Sequence, residues 1–121
     1  MRIYIAGQIT NLVYEDALRA FAETEDLLRS LGHEPVNPMK ENGLDGDGNE
    51  HPWAEYMRRD IPHLLRCDGI FLMDNWRNSK GARLEAVIAH TLGMQIFTPH
   101  LLDIECLQAA AEKTVLDIAF V

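Results

Sequence analysis

The distribution of apolar and polar positions along the chain predicts alternating strands and helices. Short β-rich runs at residues 2–6, 34–36, 69–73 and 95–98 are bounded by Gly, Pro or Asn, which is typical of strands. The longer segments between them carry apolar residues three and four positions apart, as amphipathic helices do. The predicted order is therefore β-α-β-α-β-α-β-α, with a last helix over residues 101–121.

The predicted helices begin and end at recognisable residues. One covers 13–31, and a second begins at Pro52 and continues to Cys67. Because proline lacks an amide hydrogen, Pro62 predicts a kink, or a stop and restart, in this second helix. The helix over 81–92 is predicted to face inward through an apolar set: Leu84, Val87, Ile88 and Leu92.

Strands that alternate with helices imply an α/β fold. We expect an open, mainly parallel sheet of four to five strands with helices on both faces and right-handed crossovers. Residues 1–98 form the predicted α/β domain, and 99–121 a C-terminal helical extension of it. Ligands of such sheets bind at the carboxyl ends of the strands. That rule selects the loops over 7–11, from residue 37 onward, and over 74–80.

The polar segment over 39–51 is predicted to be a loop with three glycines. Its Asp-x-Asp-Gly run is faintly similar to a calcium-binding loop. An EF-hand requires a glutamate six residues after its glycine, and Pro52 and Ala54 occupy those positions here. The sequence therefore predicts no calcium site.

Charge narrows the possible partners. The 121 residues fit one domain, and the 11 basic against 19 acidic residues give a net charge of −8. An acidic chain is repelled by nucleic-acid polymers and anionic membranes, so neither is an expected partner. Six of the 11 basic residues nevertheless lie between positions 58 and 83, which favours a small anion: Arg58, Arg59, Arg66, Arg77, Lys80 and Arg83.

Cysteine and histidine patterns predict no disulfide, metal or cofactor. Cys67 and Cys106 are far apart, and we interpret them as free thiols in a reducing compartment. The five histidines show no metal-ligand spacing. No stretch has the pattern of a signal peptide or a membrane span, so the expected location is the cytoplasm.

The loop after the first strand is a candidate ligand contact. Gly7 would let a ligand approach the backbone, while Gln8 and Thr10 could bond phosphate or ribose oxygens; Ile9 lies between them. An ordinary strand-to-helix turn explains these residues equally well.

The loop after the third strand carries more chemistry. It leads into a helix N-terminus, which favours anions; Ser79 could cap that helix, and Lys80 adds positive charge. Trp76 offers either a face for stacking a base or simple packing. Glu85 could attack a sugar carbon or accept a bond from a ribose hydroxyl.

Four blocks, at residues 3–10, 32–38, 60–70 and 79–85, resemble a family of unknown-function domains related to nucleoside 2-deoxyribosyltransferases. The resemblance covers residues 1–98. Its enzymatic members attack the sugar C1′ with a glutamate, which implies Glu85 as nucleophile and Asp68 near the base. Ser79 replaces an acid that those enzymes often carry, and Arg83 replaces a small residue.

The same resemblance includes phage proteins described as Thoeris anti-defence sponges, which form tetramers and trap a cyclic ADP-ribose isomer without cleaving it. Some relatives are also reported to hold cyclic dinucleotides. On this basis the preferred hypothesis is a homo-oligomeric sponge in the host cytoplasm; the alternative is a deoxyribosyltransferase or nucleotide N-glycosidase. The resemblance, together with the loop chemistry, implies the following pocket residues: Gly7, Gln8, Ile9, Thr10, Asn75, Trp76, Ser79, Lys80, Gly81 and Glu85.

Overall fold

Four parallel strands form one sheet in the computed structural model, which describes residues 1–41 and 51–99. The strands are β1 (Arg2–Ala6), β2 (Glu34–Val36), β3 (Gly69–Leu72) and β4 (Gln95–Phe97). Their order across the sheet is β2-β1-β3-β4, and every neighbouring pair is parallel. This arrangement confirms the predicted parallel α/β architecture.

The helices connect the strands as predicted, with two additions. They are α1 (Tyr14–Ser30), α2 (Pro38–Glu41), α3 (Trp53–Leu65) and α4 (Lys80–Thr91). The short α2 begins where a loop was predicted, and a 3-10 turn at Trp76–Asn78 interrupts the predicted loop before α4. No described helix is both long enough and apolar enough to cross a bilayer.

Helix α3 continues through Pro62, so the predicted stop and restart is wrong. Pro62 is exposed, and its missing amide removes one helical hydrogen bond on the solvent side. The opposite side of the helix buries Met57, Asp60 and Leu64, three residues spaced three and four positions apart. Packing of this face stabilises the helix enough to offset the proline.

The predicted inward face of α4 is also wrong. Leu92 is 60% exposed, and Leu84, Val87 and Ile88 are only half-buried. Small side chains let a helix axis come close to a sheet, so alanines rather than leucines occupy the contact. The residues that α4 buries are three alanines and one acid: Ala82, Glu85, Ala86 and Ala89.

Strand β1 separates two hydrophobic layers. Because side chains alternate along a strand, Tyr4 and Ala6 pack in the layer that includes α4, while Ile3 and Ile5 pack in the layer of α1, against Phe21. The sheet thus places Tyr4 on the side that α3 and α4 cover.

Three predictions fall on segments outside the described residues. These are most of the polar loop with its calcium-like run, the second thiol Cys106, and the helix over 101–121. They stay predictions, as does the domain boundary after residue 98.

Candidate functional site

A cavity of about 830 Å³ lies between α3, the start of α4 and the loop after β1. It lies at the carboxyl end of β1, where the sheet rule places a ligand site. The loop after β1 contributes Gly7, Ile9 and Thr10 to its lining. Helix α3 contributes one wall, and residues 78–83 with Glu85 form the opposite one.

Three acidic or phenolic side chains form the floor of this cavity. Tyr4 is fully buried, and Asp60 and Glu85 are 7% and 5% exposed. Within the described residues, neither Glu85 Oε2 nor Tyr4 Oη has a partner with regular hydrogen-bond geometry. We call Tyr4, Asp60 and Glu85 the acidic floor.

Two groups of the acidic floor, Glu85 and Tyr4, have raised pKa values. Burial raises the pKa of Glu85 well above its ordinary value, and the negative charge of Asp60 raises it further. The nearby Tyr4 hydroxyl opposes this rise in the Glu85 pKa. Burial also raises the pKa of Tyr4, with added contributions from Glu85 and Asp60. Burial and the negative charge of Asp60 therefore both favour the protonated form of Glu85.

The sequence places these side chains on otherwise apolar stripes. Tyr4 occupies an inward position of β1, and Asp60 follows Met57 by three positions on the buried face of α3. Glu85 lies between Ala82 and Ala89 on the buried face of α4. Burial of the Glu85 carboxyl is costly to the fold, and such groups are enriched at functional sites.

Positive charge lies at the entrance to the cavity. Ser79 caps α4 as predicted, because its Oγ accepts the Ala82 amide at 3.1 Å. Lys80 Nζ lies 4.3 Å from the centroid of the Trp53 ring, and Arg83 Nη1 donates to the carbonyl of Arg77 at 2.8 Å. Ser79, Lys80 and Arg83 all line the cavity, and we call them the cationic rim.

An aromatic wall completes the cavity. Trp53 and Tyr56 lie one turn apart on α3, and the His51 ring meets Tyr56 edge-on at 5.7 Å. Tyr14 lines the cavity from the start of α1. Flat side chains of this kind accommodate a planar base. The wall was not among the predicted site residues; the spacing of the two aromatics on α3 was the available signal.

Seven of the predicted ligand residues line the cavity. For one of them, Gly7, the structure gives a reason for the glycine that differs from the predicted one. A Cβ on Gly7 would lie 2.5 Å from Met73 Sδ, so the absence of a side chain allows the chain to pack against the residue after β3. A side chain at this position would force the Met73 side chain to shift, a packing effect that the prediction did not include. The seven residues are Gly7, Ile9, Thr10, Ser79, Lys80, Gly81 and Glu85.

Gln8 and Asn75 lie outside the cavity lining and contact each other instead. The Gln8 amide donates to Asn75 Oδ1 at 3.0 Å, and Gln8 Nε2 donates to the Thr10 carbonyl at 3.0 Å. These bonds join the loop after β1 to the loop after β3. The two residues therefore position the loop that lines the cavity.

Trp76 is not an exposed stacking surface, so that prediction is wrong. Its side chain is only 3% exposed and belongs to the core layer of Tyr4 and Leu72. The Arg77 guanidinium lies 5.3 Å from the ring centroid of Trp76 on the outside. A large apolar ring is stabilised more by burial than by exposure in a loop.

Asp68 is also wrongly predicted, because it lies at the opposite end of the sheet. It precedes β3, and its Oδ2 accepts the Arg2 amide at 2.9 Å while its own amide donates to the Arg2 carbonyl at 2.8 Å. The acid that does lie beside Glu85 is Asp60. Asp60 was not among the predicted site residues, although an acid on a buried helical stripe was a usable signal.

The part of the chain that the structure describes shows no metal-binding cluster, and its one cysteine is buried. Residues 1–41 and 51–99 contain no group of three His, Cys, Asp or Glu side chains placed to hold a metal ion. Cys67 is buried, and its Sγ contacts the His63 carbonyl at 3.3 Å. Burial raises the pKa of the Cys67 thiol to about 11, which makes it a poor nucleophile at neutral pH.

Comparison with known proteins identifies the family. Residues 1–98 match DUF4406, which is described as a domain of unknown function. The chain belongs to the DUF4406 family. No curated protein matches it.

Solved structures similar to this DUF4406 chain share its fold. One is a 2-deoxyribosyltransferase from the psychrotolerant bacterium Bacillus psychrosaccharolyticus, with a TM-score of 0.63 and 20% identity over 87% of this chain and 79% of that one. Another is a conserved protein from Enterococcus faecalis V583, with a TM-score of 0.59 and 14% identity over 81% of this chain and 62% of that one. At these identities the likeness supports the deoxyribosyltransferase-like fold and nothing finer.

Proposed function

We propose that the cavity binds a nucleoside-type ligand and that Glu85 attacks its anomeric carbon, breaking the N-glycosidic bond. The observation that carries this proposal is the buried Glu85 carboxyl, which lines the cavity and whose Oε2 has no partner with regular hydrogen-bond geometry among the described residues. Leaving such an atom unsatisfied costs about 1–3 kcal/mol. A group kept at that cost is explained when a ligand completes its contacts.

The acidic floor supplies both the nucleophile and the proton. Glu85 reacts as the carboxylate: a bond forms between its oxygen and C1′, and the C1′–N bond breaks with its electron pair going to the base. The proton that Glu85 gives up to Asp60 passes from Asp60 to that nitrogen. Water then releases the sugar and returns a proton to the floor, or a second base takes the sugar and completes a transfer.

The aromatic wall supports a ligand that contains a planar base. Trp53 and Tyr56 face the cavity from α3, opposite the first turns of α4 that lead to Glu85. The fold likeness to a 2-deoxyribosyltransferase agrees with the same reaction class, although at 20% identity it supports only the architecture.

Sequestration without cleavage is the second candidate function. Because burial raises its pKa, Glu85 is a neutral acid in the free protein, which donates a hydrogen bond rather than attacking carbon. In that case the cavity retains a cyclic nucleotide, such as a cyclic ADP-ribose isomer, and the protein acts as a phage anti-defence sponge.

One assay separates the two functions. The full chain is incubated with 2′-deoxynucleosides, their 5′-monophosphates and a cyclic ADP-ribose isomer, then heated, and the released molecules are separated by chromatography. We expect free base from wild type and a loss of at least about 10³-fold in Glu85→Gln. The matched control is Glu23→Gln, which changes an exposed glutamate of α1.

Two results would count against cleavage. Equal base release by wild type and Glu85→Gln would remove Glu85 as nucleophile. Recovery of a tightly bound, intact cyclic nucleotide, with no base from any substrate, would establish sequestration instead.

A further inference from the structure

The described helices cover the two faces of the sheet unequally. On the side of Tyr4, α3 and α4 both pack in the core layer, and α4 contacts β1, β3 and β4. On the other side, α1 packs mainly against β1 and β2, and the short α2 contacts β1. We propose that residues 101–121 pack as a helix on the remaining half of this α1 side, over β3 and β4.

The dimensions of the sheet require two helices on each face. Neighbouring strands lie about 4.8 Å apart, so the outer strands of a four-stranded sheet are separated by about 14 Å. A helix with its side chains is about 10–12 Å across and covers about two strands. Helix α1 therefore covers β1 and β2, and a second helix is needed to cover the apolar side chains of β3 and β4.

A groove of about 310 Å³ lies over this half of the sheet. Phe71 and Met73, which belong to the α1-side layer, form its floor. Ala20, Thr24 and Leu27 line it from α1, and Leu27 is 47% exposed. An apolar strip on α1 beside a groove with an apolar floor is typical of a surface that packs against another helix.

The path of the chain leads directly into this groove. Strand β4 ends at Phe97, and Pro99 lines the groove. The 21 residues over 101–121 span about 30 Å as a helix, compared with about 26 Å for the 17 residues of α1. The segment therefore starts at the groove and is long enough to run beside the whole of α1.

The sequence of the segment fits an apolar floor. Its apolar residues recur three and four positions apart, and its five charged residues all lie off that stripe. A second copy of the chain would not be tethered at Pro99, whereas the segment of the same chain is held there at high effective concentration. The stripe consists of five residues: Ile104, Leu107, Ala111, Val115 and Ile118.

The proposed packing also has a defined register. Helix α1 and the segment each follow the carboxyl end of a strand, so they run in the same direction along the sheet. Leu27 lies 13 positions after Tyr14, where α1 begins. Residues near position 114 of a parallel helix that begins at 101 are level with it, and the nearest stripe residues are Ala111 and Val115.

Disulfide cross-linking in the full chain tests this register. Leu27→Cys is combined with either Ala111→Cys or Val115→Cys in a Cys106→Ser background. Cys67 is retained, because its buried thiol, with a pKa of about 11, reacts slowly. After mild oxidation we expect at least one pair to form an intramolecular disulfide, identified by mass spectrometry of its peptides, since the bond needs Cα atoms within about 7 Å.

Two control pairs separate docking from chance collisions. Leu27→Cys with Lys113→Cys uses a position off the stripe, and Arg58→Cys with Val115→Cys uses an exposed position of α3 on the other side of the sheet. Both control pairs should give at least about tenfold less disulfide than the better stripe pair, because their sulfur atoms are held apart.

Urea unfolding gives a second measurement that does not depend on disulfide geometry. Ala111→Asp places a charge on the stripe and should lower the urea midpoint by about 0.5 M or more. Lys113→Asp introduces the same residue off the stripe and should leave the midpoint nearly unchanged.

Several outcomes would overturn the proposal. A disulfide between two copies, whose yield falls on dilution, would mean that a second copy occupies the groove. No disulfide from either stripe pair, or equal yields from stripe and control pairs, would remove the docking of the segment, as would equal urea midpoints for Ala111→Asp and Lys113→Asp. None of these measurements uses base release, so the proposed function can fail or succeed independently.

Discussion

Two glutamates are buried in the described part of the chain, and their surroundings differ completely. Glu25 on α1 receives Lys40 Nζ at 2.9 Å, Arg29 Nη2 at 3.3 Å and Asn37 Nδ2 at 3.3 Å. Burial raises the pKa of Glu25, but the bonds from Lys40 and Asn37 more than offset this, so its pKa is lowered. Glu85 has no such cations, and its pKa is raised.

We interpret the difference as that between a structural acid, Glu25, and the acid proposed to react, Glu85. Glu25 joins α1 to the segment after β2, where Asn37 also caps α2 through its bond with the Met39 amide at 3.0 Å. Its hydrogen-bonding capacity is used within the protein. Within the described residues, Glu85 has only the Tyr4 hydroxyl as a partner and no cation beside it, and it lines the cavity. Burial alone therefore does not indicate a functional carboxyl; burial without a cationic partner does.

The largest expected effect is an opposite change in stability for the two amide variants. At pH 7, Glu25→Gln should lower the free energy of unfolding by about 2 kcal/mol, because it weakens the charge-assisted bonds to Lys40 and Arg29. Glu85→Gln should lose nothing or gain up to about 1 kcal/mol, because a neutral group is already favoured there. Urea unfolding of both variants measures this, with Glu23→Gln as the exposed control. If Glu85→Gln lost as much stability as Glu25→Gln, the two buried glutamates would not differ as described.

The pH dependence of stability should also diverge. Because the pKa of Glu85 is raised in the folded state, its contribution to the free energy of unfolding is fully present below about pH 4.5. That contribution is lost as the pH rises toward the folded-state pKa. The stability of Glu85→Gln relative to wild type should therefore increase with pH. Because the pKa of Glu25 is lowered in the folded state, its contribution to the free energy of unfolding is present above about pH 4.5 and is lost as the pH falls. The stability of Glu25→Gln should therefore approach that of wild type in acid.

Thermal melting of wild type and both variants between pH 3 and 8 tests this divergence. Each proton can contribute up to about 1.4 kcal/mol per pH unit. Parallel curves for the two variants would show that the two sites do not titrate as described.

Tyr4→Phe tests how the Tyr4 hydroxyl affects the pKa of Glu85. The hydroxyl lowers the Glu85 pKa, so its removal should raise that pKa further and decrease base release by about tenfold near neutral pH. The acidic limb of the pH–rate profile should move to higher pH. Stability should change by less than about 1 kcal/mol, because Tyr4 Oη lacks a regular partner. An unmoved limb would show that Tyr4 does not act through Glu85.

The smallest change in stability is expected for Lys40→Met, which removes the ion pair with Glu25. The Lys40 side chain is 59% exposed, so water replaces much of its interaction, and the loss should be about 0.5 kcal/mol. Unfolding at low and high salt measures it, with a smaller difference between variant and wild type at high salt. A loss above about 2 kcal/mol would mean that Lys40 contributes more than an exposed ion pair does.

The sequence was sufficient for the strands and for one wall of the site. The bounds predicted for β1 and β2 match the structure, because Gly, Pro and Asn punctuate these runs clearly. The lining residues around the start of α4 were also found, since a strand followed by a polar loop and a capped helix is a local pattern.

The remaining errors concern long-range packing. Whether Trp76 points out or into the core depends on a core layer that includes Tyr4, which is distant in sequence. Asp60 became a site residue only because α3 and α4 approach each other, and a close contact at Gly81, whose Cβ would lie 3.0 Å from Met57 Sδ, permits that approach. Periodicity in a single segment does not specify such contacts.

The position of β1 in the sheet has a consequence for how the chain folds during synthesis. Its start is bonded to Asp68, 66 positions later, and it pairs with β3 on one side and β2 on the other. At about 5–20 residues per second, β1 leaves the ribosome several seconds before β3 exists. During that interval one edge of β1 is open, and its apolar side chains are a site for misassociation with other chains. Since Glu85 follows β3, the cavity is completed only after this exposed period has ended.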